Sequence, residues 1–396
     1  MFVNDVVILA GARTPMSRYM GAFDSTTAID LAAAAGREAI RRSGADPAEF
    51  DHVVFGNVMQ TSADALYGAR HVGLKAGLPE DVPAVTVNRL CGSGVESISQ
   101  AAQRILLGEA KLVLAGGMEN MSQAPHVIRG ARTGFKLGEG KLEDSLASGL
   151  FDSYCGFSMS ETAENLAAEQ GITREACDEY ALRSQQAAEA AFRACRMKDE
   201  IVPVEVKKGK KTITVSQDDH RRPETTMEVL QSLQPAFRKD GIVTAGNASG
   251  IVDGGAAVVL THAKIAKDHG WQPLGRIVSW AAVGVPPRIM GIGPVPAIKK
   301  ALALANLKLD QIDLIEINEA FAAQYLAVEK LLGNDRNRTN VNGGAIALGH
   351  PLGATGTRLV LTLLLELRRR GARYGIASAC IGGGQGIAMI VELAAA

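Results

Sequence analysis

An internal repeat is the feature that most constrains the fold of this 396-residue chain. Near its start the strand-like run VVILA precedes a helical stretch over 29–42 and a second strand-like run, DHVVFGN. The same order returns later as GRIVSWA, VPAIKKALALANL and DLIEINE. Strands that alternate with helices favour parallel-rich sheets covered by helices. The repeat therefore predicts an α/β protein built from two duplicated units packed together.

Both repeats continue with a glycine-rich turn that opens onto a helix, TVNRLCGSG in the first and TNVNGGAIALGHPLG in the second. The apolar stripes of these helices comprise Val95, Ile98, Ala102 and Ile105 in the first, and Val360, Leu363, Leu364 and Leu367 in the second. Two further strands end each half, KLVLA with AAVVLT and YGIASA with IAMIVE. The two halves are thus predicted to share one order of elements.

Residues 119–250 have no counterpart in the repeat and divide the first half. They include the turn-rich run GARTGFKLGEGKLEDS, an amphipathic helix over 174–193 and the charged run VKKGKKTITVSQDDHRRPETT. We predict a first half formed by 1–118 with 251–270, an inserted loop domain over 119–250, and a second half over 271–396. Insertions on a rigid core often carry ligand contacts, although a solvated decoration is the alternative.

Composition argues against several classes of protein. Lys plus Arg and Asp plus Glu number 42 each, so no global field favours nucleic acid or an anionic membrane. No apolar run approaches the roughly 18 residues of a membrane span, and the start lacks a basic secretory n-region. The five cysteines contain no C-x-x-C pair, and no H-E-x-x-H occurs. These observations predict a cytoplasmic protein without a metal, a nucleic-acid partner or a membrane anchor.

Cys91 precedes Gly92-Ser93-Gly94 and a predicted helix. A thiol at a helix N-terminus meets the positive end of the macrodipole, which lowers its pKa and favours the nucleophilic thiolate. The glycines let an acyl group approach the backbone closely. Cys91 is therefore a candidate nucleophile for thioester chemistry, and a buried inert cysteine is the alternative.

His350 and Cys380 also lie beside glycine-rich turns. His350, in LGHPLGATG, suits the role of the base that activates a thiol. Cys380, in ACIGGGQG, is a second candidate proton carrier, and the following backbone N–H groups could hold an oxyanion. A dinucleotide loop is disfavoured there, because the order is strand, glycines, strand and the G-x-G-x-x-G spacing is missing.

Asn318 and Glu319 end a predicted strand, where open α/β sheets place their chemistry. Asn318 could donate a hydrogen bond to an oxyanion directly or through water. It could also serve as the N-cap of the next helix, a position for which Asn is favoured.

Together these segments resemble the thiolase family. NRLCGSG, GGMENMS, GNASG, NEAFA, NVNGGAIALGHPLGATG and CIGGGQG are similar to thiolase motifs in order and spacing, from Arg13 to the C-terminus. The flanking text is most similar to the mitochondrial type of 3-ketoacyl-CoA thiolase and its bacterial relatives. The resemblance implies a thiolase fold of two βαβαβαββ halves, forming a layered α/β/α/β/α core with a loop domain.

The resemblance also implies roles for the candidate residues. Cys91 would carry the acyl group, His350 would activate its thiol, and Cys380 would act as the acid and base toward CoA or acetyl-CoA. One oxyanion hole would use His350 with a water held by Asn318. The second would use the backbone N–H groups of Cys91 and Gly382. The implied reaction is thiolysis of 3-ketoacyl-CoA or, in reverse, condensation of two acetyl-CoA molecules.

CoA and acyl-CoA are the expected partners, as substrates and not as permanently bound cofactors. The family positions implied to contact CoA are Arg222, Thr225 and Ser249. Those implied to line the substrate pocket are Met159, Met290, Ser158 and Phe321. Ser158 stands where short-chain biosynthetic thiolases commonly have histidine, so chain length stays open, with short and medium acyl groups favoured. A homodimer, assembling into a homotetramer, is also implied.

Two alternatives remain at this stage. A decarboxylating ketoacyl synthase of the same superfold generally pairs two histidines with its cysteine, whereas this chain has Cys380 at the third position. A non-catalytic CoA- or lipid-binding protein derived from the fold is disfavoured because Cys91, His350 and Cys380 are all retained.

Overall fold

The structure is a computed structural model that describes residues 5–394. The first half contains β1 (Val6–Arg13), β2 (Ser17–Arg18), α1 (Ala28–Ser43), β3 (His52–Asn57), α2 (Gly68–Ala76), β4 (Ala84–Val87), α3 (Ser93–Leu107) and β5 (Leu112–Glu119). The insertion contains β6 (His126–Ile128), β7 (Leu142–Asp144), α4 (Ser145–Gly149), β8 (Phe151–Asp152), β9 (Phe157–Ser158), α5 (Met159–Gln170), α6 (Arg174–Arg193), β10 (Val204–Lys208), β11 (Lys211–Val215) and α7 (Met227–Ser232).

The core resumes after the insertion. Its elements are β12 (Val252–His262), α8 (Ala263–His269), β13 (Gly275–Gly284), α9 (Pro294–Ala305), β14 (Leu314–Ile317), α10 (Ala322–Leu332), α11 (Ala345–Leu348), α12 (Leu352–Arg370), β15 (Tyr374–Ile381) and β16 (Gln385–Leu393). The helix expected over 174–193 has the bounds of α6. Across the described part of the chain, none of the helices combines the length and hydrophobicity that a bilayer span requires.

The strand order confirms the repeat. The first half has the order β4-β3-β5-β12-β1, and the second has β14-β15-β16-β13. An isolated parallel bridge between Ile315 and Thr339 occupies the place beside β14 that β4 occupies beside β3. Short pairing of β1 with β13, at Val7 with Arg276 and Ile8 with Gly275, joins the halves into one continuous sheet.

The expectation of parallel-rich sheets is wrong, because each half is mixed. β3 pairs parallel with β4 and β5, and β14 pairs parallel with β15. The remaining core neighbours pair antiparallel. The reason is connectivity: β15 turns directly into β16 without a crossover helix, and β5 is followed in the sheet by β12 after the insertion. Such a return leaves the strands antiparallel.

Alternation along the strands sorts the core into layers. Val6 and Ile8 of β1 join the apolar cluster around α3 and α12, whereas Val7 and Leu9 face the cluster around α1 and α2. A third cluster packs α9 and α10 on the outer face of the second half. The order is therefore helices, sheet, the α3–α12 pair, sheet, helices. This arrangement places the N-termini of α3 and α12, which carry the two glycine-rich turns, side by side.

Candidate active site

Cys91, His350 and Cys380 all line one cavity of about 530 Å³. Cys91 lies two residues before α3, and His350 lies two residues before α12. Cys380 is the penultimate residue of β15. The structure thus brings together three side chains that are far apart in sequence, at the point where the central helices begin.

The backbone around Cys91 is tightly constrained. Leu90 has a φ of 46°, an uncommon value for a residue with a side chain. A Cβ at Gly92 would lie 2.5 Å from Cδ1 of Ile381, so a larger residue there would displace that side chain. The backbone N–H groups of Cys91 and Gly382 lie close to the Cys91 sulfur and favour its thiolate. These are the two groups that the resemblance implied for an oxyanion hole, and both lie beside the thiol.

The expected low pKa of Cys91 is wrong for the unliganded protein. Burial raises the pKa of this thiol to about 11, and the two N–H groups offset the effect only in part. The buried carboxylate of Glu119 adds a further small increase. The favourable N–H groups belong to Cys91 itself and to the turn after β15, and removal from water disfavours the thiolate by more than they stabilise it. Cys91 therefore rests as a thiol.

Hydrogen bonds fix the ring of His350. Its Nδ1 lies 2.6 Å from the Oγ1 of Thr355, and that hydroxyl donates to the carbonyl of Pro351 at 3.0 Å. Because the only hydroxyl proton is used on Pro351, Nδ1 of His350 carries the ring proton and donates to Thr355. Nε2 is consequently the acceptor, and the amide nitrogen of Asn318 lies 3.3 Å from it.

His350 is uncharged at neutral pH. Burial lowers the pKa of its imidazole to about 3, and the positive charge of Arg358 acts in the same direction. Arg358 is itself buried and forms an ion pair with Glu316 at 3.1 Å. Together with the raised pKa of Cys91, this makes a neutral thiol–imidazole pair the resting form of the site.

Cys380 lies near the end of β15 and Gly382 lies in the turn between β15 and β16, which confirms the expected order of strand, glycines, strand. Gly384 has a φ of 82°, and a Cβ there would lie 2.3 Å from the carbonyl oxygen of Val285. The turn therefore requires glycine. Burial and the neighbouring Cys91 raise the pKa of Cys380, so it too rests protonated and can act as a proton donor.

Asn318 lies behind His350 at the end of β14 and is almost wholly buried. The alternative role as a helix N-cap is wrong, because α10 begins at Ala322 and its N-cap is Phe321. The side-chain oxygen of Asn318 is buried and accepts no hydrogen bond from the described residues. A polar atom left in this state next to a cavity is suited to hold a water molecule.

The cavity walls include all four predicted pocket residues and Ser249. Met159, Met290 and Phe321 pack around Cys380, whereas Ser158 uses its hydroxyl to cap α5. Cys91 itself packs against a second apolar cluster, which is formed by the insertion, the start of α12 and the segment after β3. Its members are Met121, Leu146, Leu352, Val58, Met59, Ala124 and Leu150. Sequence reasoning missed this second wall.

Arg222 and Thr225 are not part of the cavity wall. The N–H of Arg222 donates to Gln185 at 2.9 Å, and the hydroxyl of Thr225 donates to the Arg222 carbonyl at 2.8 Å. The Arg222 side chain is exposed. Any contact of these residues with a ligand would therefore be at the surface. Thr355 is a functional neighbour that sequence reasoning also missed, because its signal is only a hydroxyl in the first turn after His350.

Comparison with known proteins agrees with this arrangement. The family model described as the thiolase N-terminal domain matches residues 6–264, and the thiolase C-terminal domain matches 271–393. The chain is 53% identical to human mitochondrial 3-ketoacyl-CoA thiolase over 393 residues, which cover 98% of each protein. It is 51% identical to acetyl-CoA acetyltransferase of Escherichia coli, over 98% of this chain and 99% of that protein.

Solved structures show the same fold. The human mitochondrial 3-ketoacyl-CoA thiolase superimposes with a TM-score of 0.98 at 52% identity, over all of both chains. Acetyl-CoA acetyltransferase of Bacillus anthracis superimposes with a TM-score of 0.97 at 46% identity, over 99% of each chain. The layered, duplicated fold expected from the sequence is therefore confirmed, and this chain belongs to the thiolase family.

Proposed function

We propose that this chain is an acyl-CoA C-acetyltransferase that cleaves 3-ketoacyl-CoA with CoA and catalyses the reverse condensation of two acetyl-CoA molecules. The observation that carries the proposal is the convergence of Cys91, His350 and Cys380 on one cavity, with the backbone N–H groups of Cys91 and Gly382 close to the Cys91 sulfur. One nucleophile, one base, one acid and sites for negative charge are what the reaction needs.

In the first half-reaction the sulfur of Cys91 attacks the 3-keto carbon as its proton passes to Nε2 of His350. Because the resting pair is neutral, proton transfer accompanies formation of the S–C bond, and the negative charge passes to the substrate oxygen. The bond between Cα and Cβ then breaks, and its electrons form the enolate of acetyl-CoA. Cys380 donates a proton to Cα, which releases acetyl-CoA and leaves the acyl group on Cys91.

In the second half-reaction the resulting Cys380 thiolate takes the proton of incoming CoA. The CoA thiolate attacks the thioester carbonyl, whose oxygen is stabilised by the N–H groups of Cys91 and Gly382. Collapse of the intermediate expels the Cys91 sulfur, which recovers its proton from His350. In the first half-reaction, Asn318, through a bound water, and protonated His350 would hold the oxygen of the acetyl-CoA enolate. Atoms and protons balance over the cycle.

CoA would enter along the wall that contains Ser249, with Arg222 and Thr225 at the surface end. The human mitochondrial 3-ketoacyl-CoA thiolase, with a TM-score of 0.97 and 52% identity, was solved in complex with CoA, which supports binding of CoA by this chain. Arg222 is exposed and suited to a phosphate.

The acyl group on Cys91 would extend along the cluster of Met121, Leu146 and Leu150. This wall and the volume of about 530 Å³ suit chains longer than acetyl, so we favour short and medium 3-ketoacyl groups.

A dimer that assembles into a tetramer is the proposed oligomer, in the cytoplasm. β4 is the outermost strand of its end of the sheet, and such an edge is suited to pairing with a second copy. The segment 126–144 exposes Ile128, Phe135, Leu137 and Leu142, and an apolar patch of this kind marks an interaction surface.

The test is turnover of acetoacetyl-CoA and longer 3-ketoacyl-CoA esters by the purified chain with CoA. Loss of the 3-ketoacyl-CoA absorbance only when CoA is present supports the proposal. Turnover of malonyl thioesters would instead favour a ketoacyl synthase, and binding of CoA without any turnover would favour the non-catalytic alternative.

A further inference from the structure

A buried carboxylate, that of Glu119, lies behind the candidate site and has no role in the proposed reaction sequence. Glu119 is the last residue of β5 and is fully buried. Its negative charge also raises the pKa of the Cys91 thiol. Charged residues are almost never fully buried unless their partners compensate the loss of water, so its contacts require an explanation.

Four N–H donors surround this carboxylate. Oε1 accepts from the side-chain amide of Asn57 at 3.0 Å and from the backbone of Met59 at 2.9 Å. Oε2 accepts from the backbone of Val58 at 3.2 Å and from that of Gly353 at 2.8 Å. The first three donors lie at the end of β3 and directly after it, in the half that carries Cys91. The fourth lies in α12, three residues after His350.

The two halves meet closely at this point. A Cβ at Gly117 would lie 1.9 Å from the carbonyl oxygen of Gly353, and a Cβ at Gly353 would lie 2.5 Å from that of Met118. β5 and the first turn of α12 are thus in direct backbone contact. Glu119 adds the charge-assisted bonds that hold this contact in one register.

We propose that Glu119 is a positioning residue that sets the separation between the His350 turn and Cys91. The inference rests on the proposed thiolase reaction, since its consequence is the geometry of proton transfer between these two residues. A substitution outside the reacting groups that displaces them by about 1 Å can lower the rate about 100-fold.

The electrostatic surroundings give the proposal a second, independent readout. Burial raises the pKa of Glu119 to about 7, with Asp253 of β12 as the additional negative charge, against its backbone donors. Glu119 in turn raises the pKa of Cys91. The cavity that contains the thiol is also lined by four other titratable residues: Cys380, neutral His350, Asp144 and Tyr19. Removal of the Glu119 charge should therefore lower the pKa of Cys91.

Glu119→Gln is the principal variant. Each carboxylate oxygen accepts two donors, so an amide group in either orientation faces two N–H groups and loses both bonds. The matched control is Asp51→Asn. Asp51 accepts from the backbone of Lys111 at 2.8 Å and Leu112 at 3.2 Å, and so links the opposite ends of the same strands, β3 and β5.

Two measurements are made on full-length wild-type and variant proteins: kcat and KM for thiolysis, and the rate of Cys91 alkylation by iodoacetamide against pH. We expect Glu119→Gln to lower kcat about 10- to 100-fold with little change in KM, and to shift the alkylation profile to lower pH. Asp51→Asn should change neither. Unchanged kcat and an unchanged profile in a folded Glu119→Gln protein would overturn the proposal, as would an equal loss in Asp51→Asn.

Asn57→Ala serves if Glu119→Gln does not fold. It removes one donor but keeps the charge, so kcat should fall about tenfold while the alkylation profile stays in place. Wild-type kcat in this variant would overturn the positioning role. The alkylation readout needs no turnover, so a wild-type protein without thiolysis would contradict the proposed function while the charge effect of Glu119 is still measured.

Discussion

Nδ1 of His350 lies 2.6 Å from the hydroxyl oxygen of Thr355, one turn into the helix that His350 precedes. This contact determines which ring nitrogen faces the cavity as an acceptor. Since the hydroxyl proton is committed to the carbonyl of Pro351, the tautomer of His350 is set by the start of α12 itself. The base toward Cys91 is thus oriented by the same helix whose N-terminus places it in the site.

Thr355→Ala should lower kcat about tenfold, the effect of about 1.4 kcal/mol for one lost hydrogen bond, because the ring loses the partner that selects its tautomer. Thr355→Ser should restore most of the activity. Thr362→Ala is the control: this buried threonine of α12 donates to Glu200 at 2.7 Å and should affect stability but not kcat. Equal kcat in Thr355→Ala and wild type would show that the contact has no catalytic importance.

The pH dependence of the rate of Cys91 alkylation should be that of a thiol whose pKa lies near 11. A raised pKa leaves the thiol protonated at neutral pH, so the thiolate fraction and the rate should rise about tenfold for each unit between about pH 7 and pH 9. Peptide mass spectrometry separates Cys91 from exposed Cys195, which serves as an internal reference. A rate that is already constant above about pH 7 would mean that a thiolate forms at rest.

Leu150→Trp should narrow the wall that receives the acyl group. Leu150 packs against the Cys91 cluster and is partly exposed, so the larger ring can be accommodated at the cavity without rebuilding the core. We expect kcat/KM for medium-chain 3-ketoacyl-CoA to fall about 10-fold or more relative to acetoacetyl-CoA. Leu304→Trp, on the exposed face of α9, is the control. A uniform effect on all chain lengths would place the acyl group elsewhere.

Leu137→Asp should convert the proposed tetramer into dimers. Leu137 is fully exposed in the segment 126–144, where an apolar side chain gains most from burial between subunits, and a charge would oppose that contact. Light scattering coupled to size-exclusion chromatography measures the mass of both proteins. A wild-type dimer, or a variant that remains tetrameric, would exclude this segment from the tetramer interface.

Much of the fold was accessible from the sequence because its signals are local and occur twice. The apolar stripes of α3 and α12 and the strand-like runs predicted the duplicated halves. The sense of strand pairing was not accessible, since it depends on where the chain returns after β5 and β15. Local signals specify an element, but the insertion of 120–251 between β5 and β12 hides which strands become neighbours.

The site was predicted in the same way, residue by residue. Glycine-rich turns identified Cys91, His350 and Cys380, because a catalytic group near the backbone needs such turns. The pKa of Cys91 was misjudged, because the burial that raises it is a property of the whole fold. The wall formed by Met121 and Leu146 was missed because nothing in the insertion distinguishes an inward-facing apolar residue from an exposed one.

Mass spectrometry of the intact protein after a brief reaction with acetyl-CoA, quenched in acid, tests the central claim most directly. The account predicts one acetyl group per chain, located by peptide mapping on Cys91, absent in Cys91→Ala and discharged by added CoA. A wild-type chain without the adduct, or with the acetyl group on Cys380 or another residue, would contradict it.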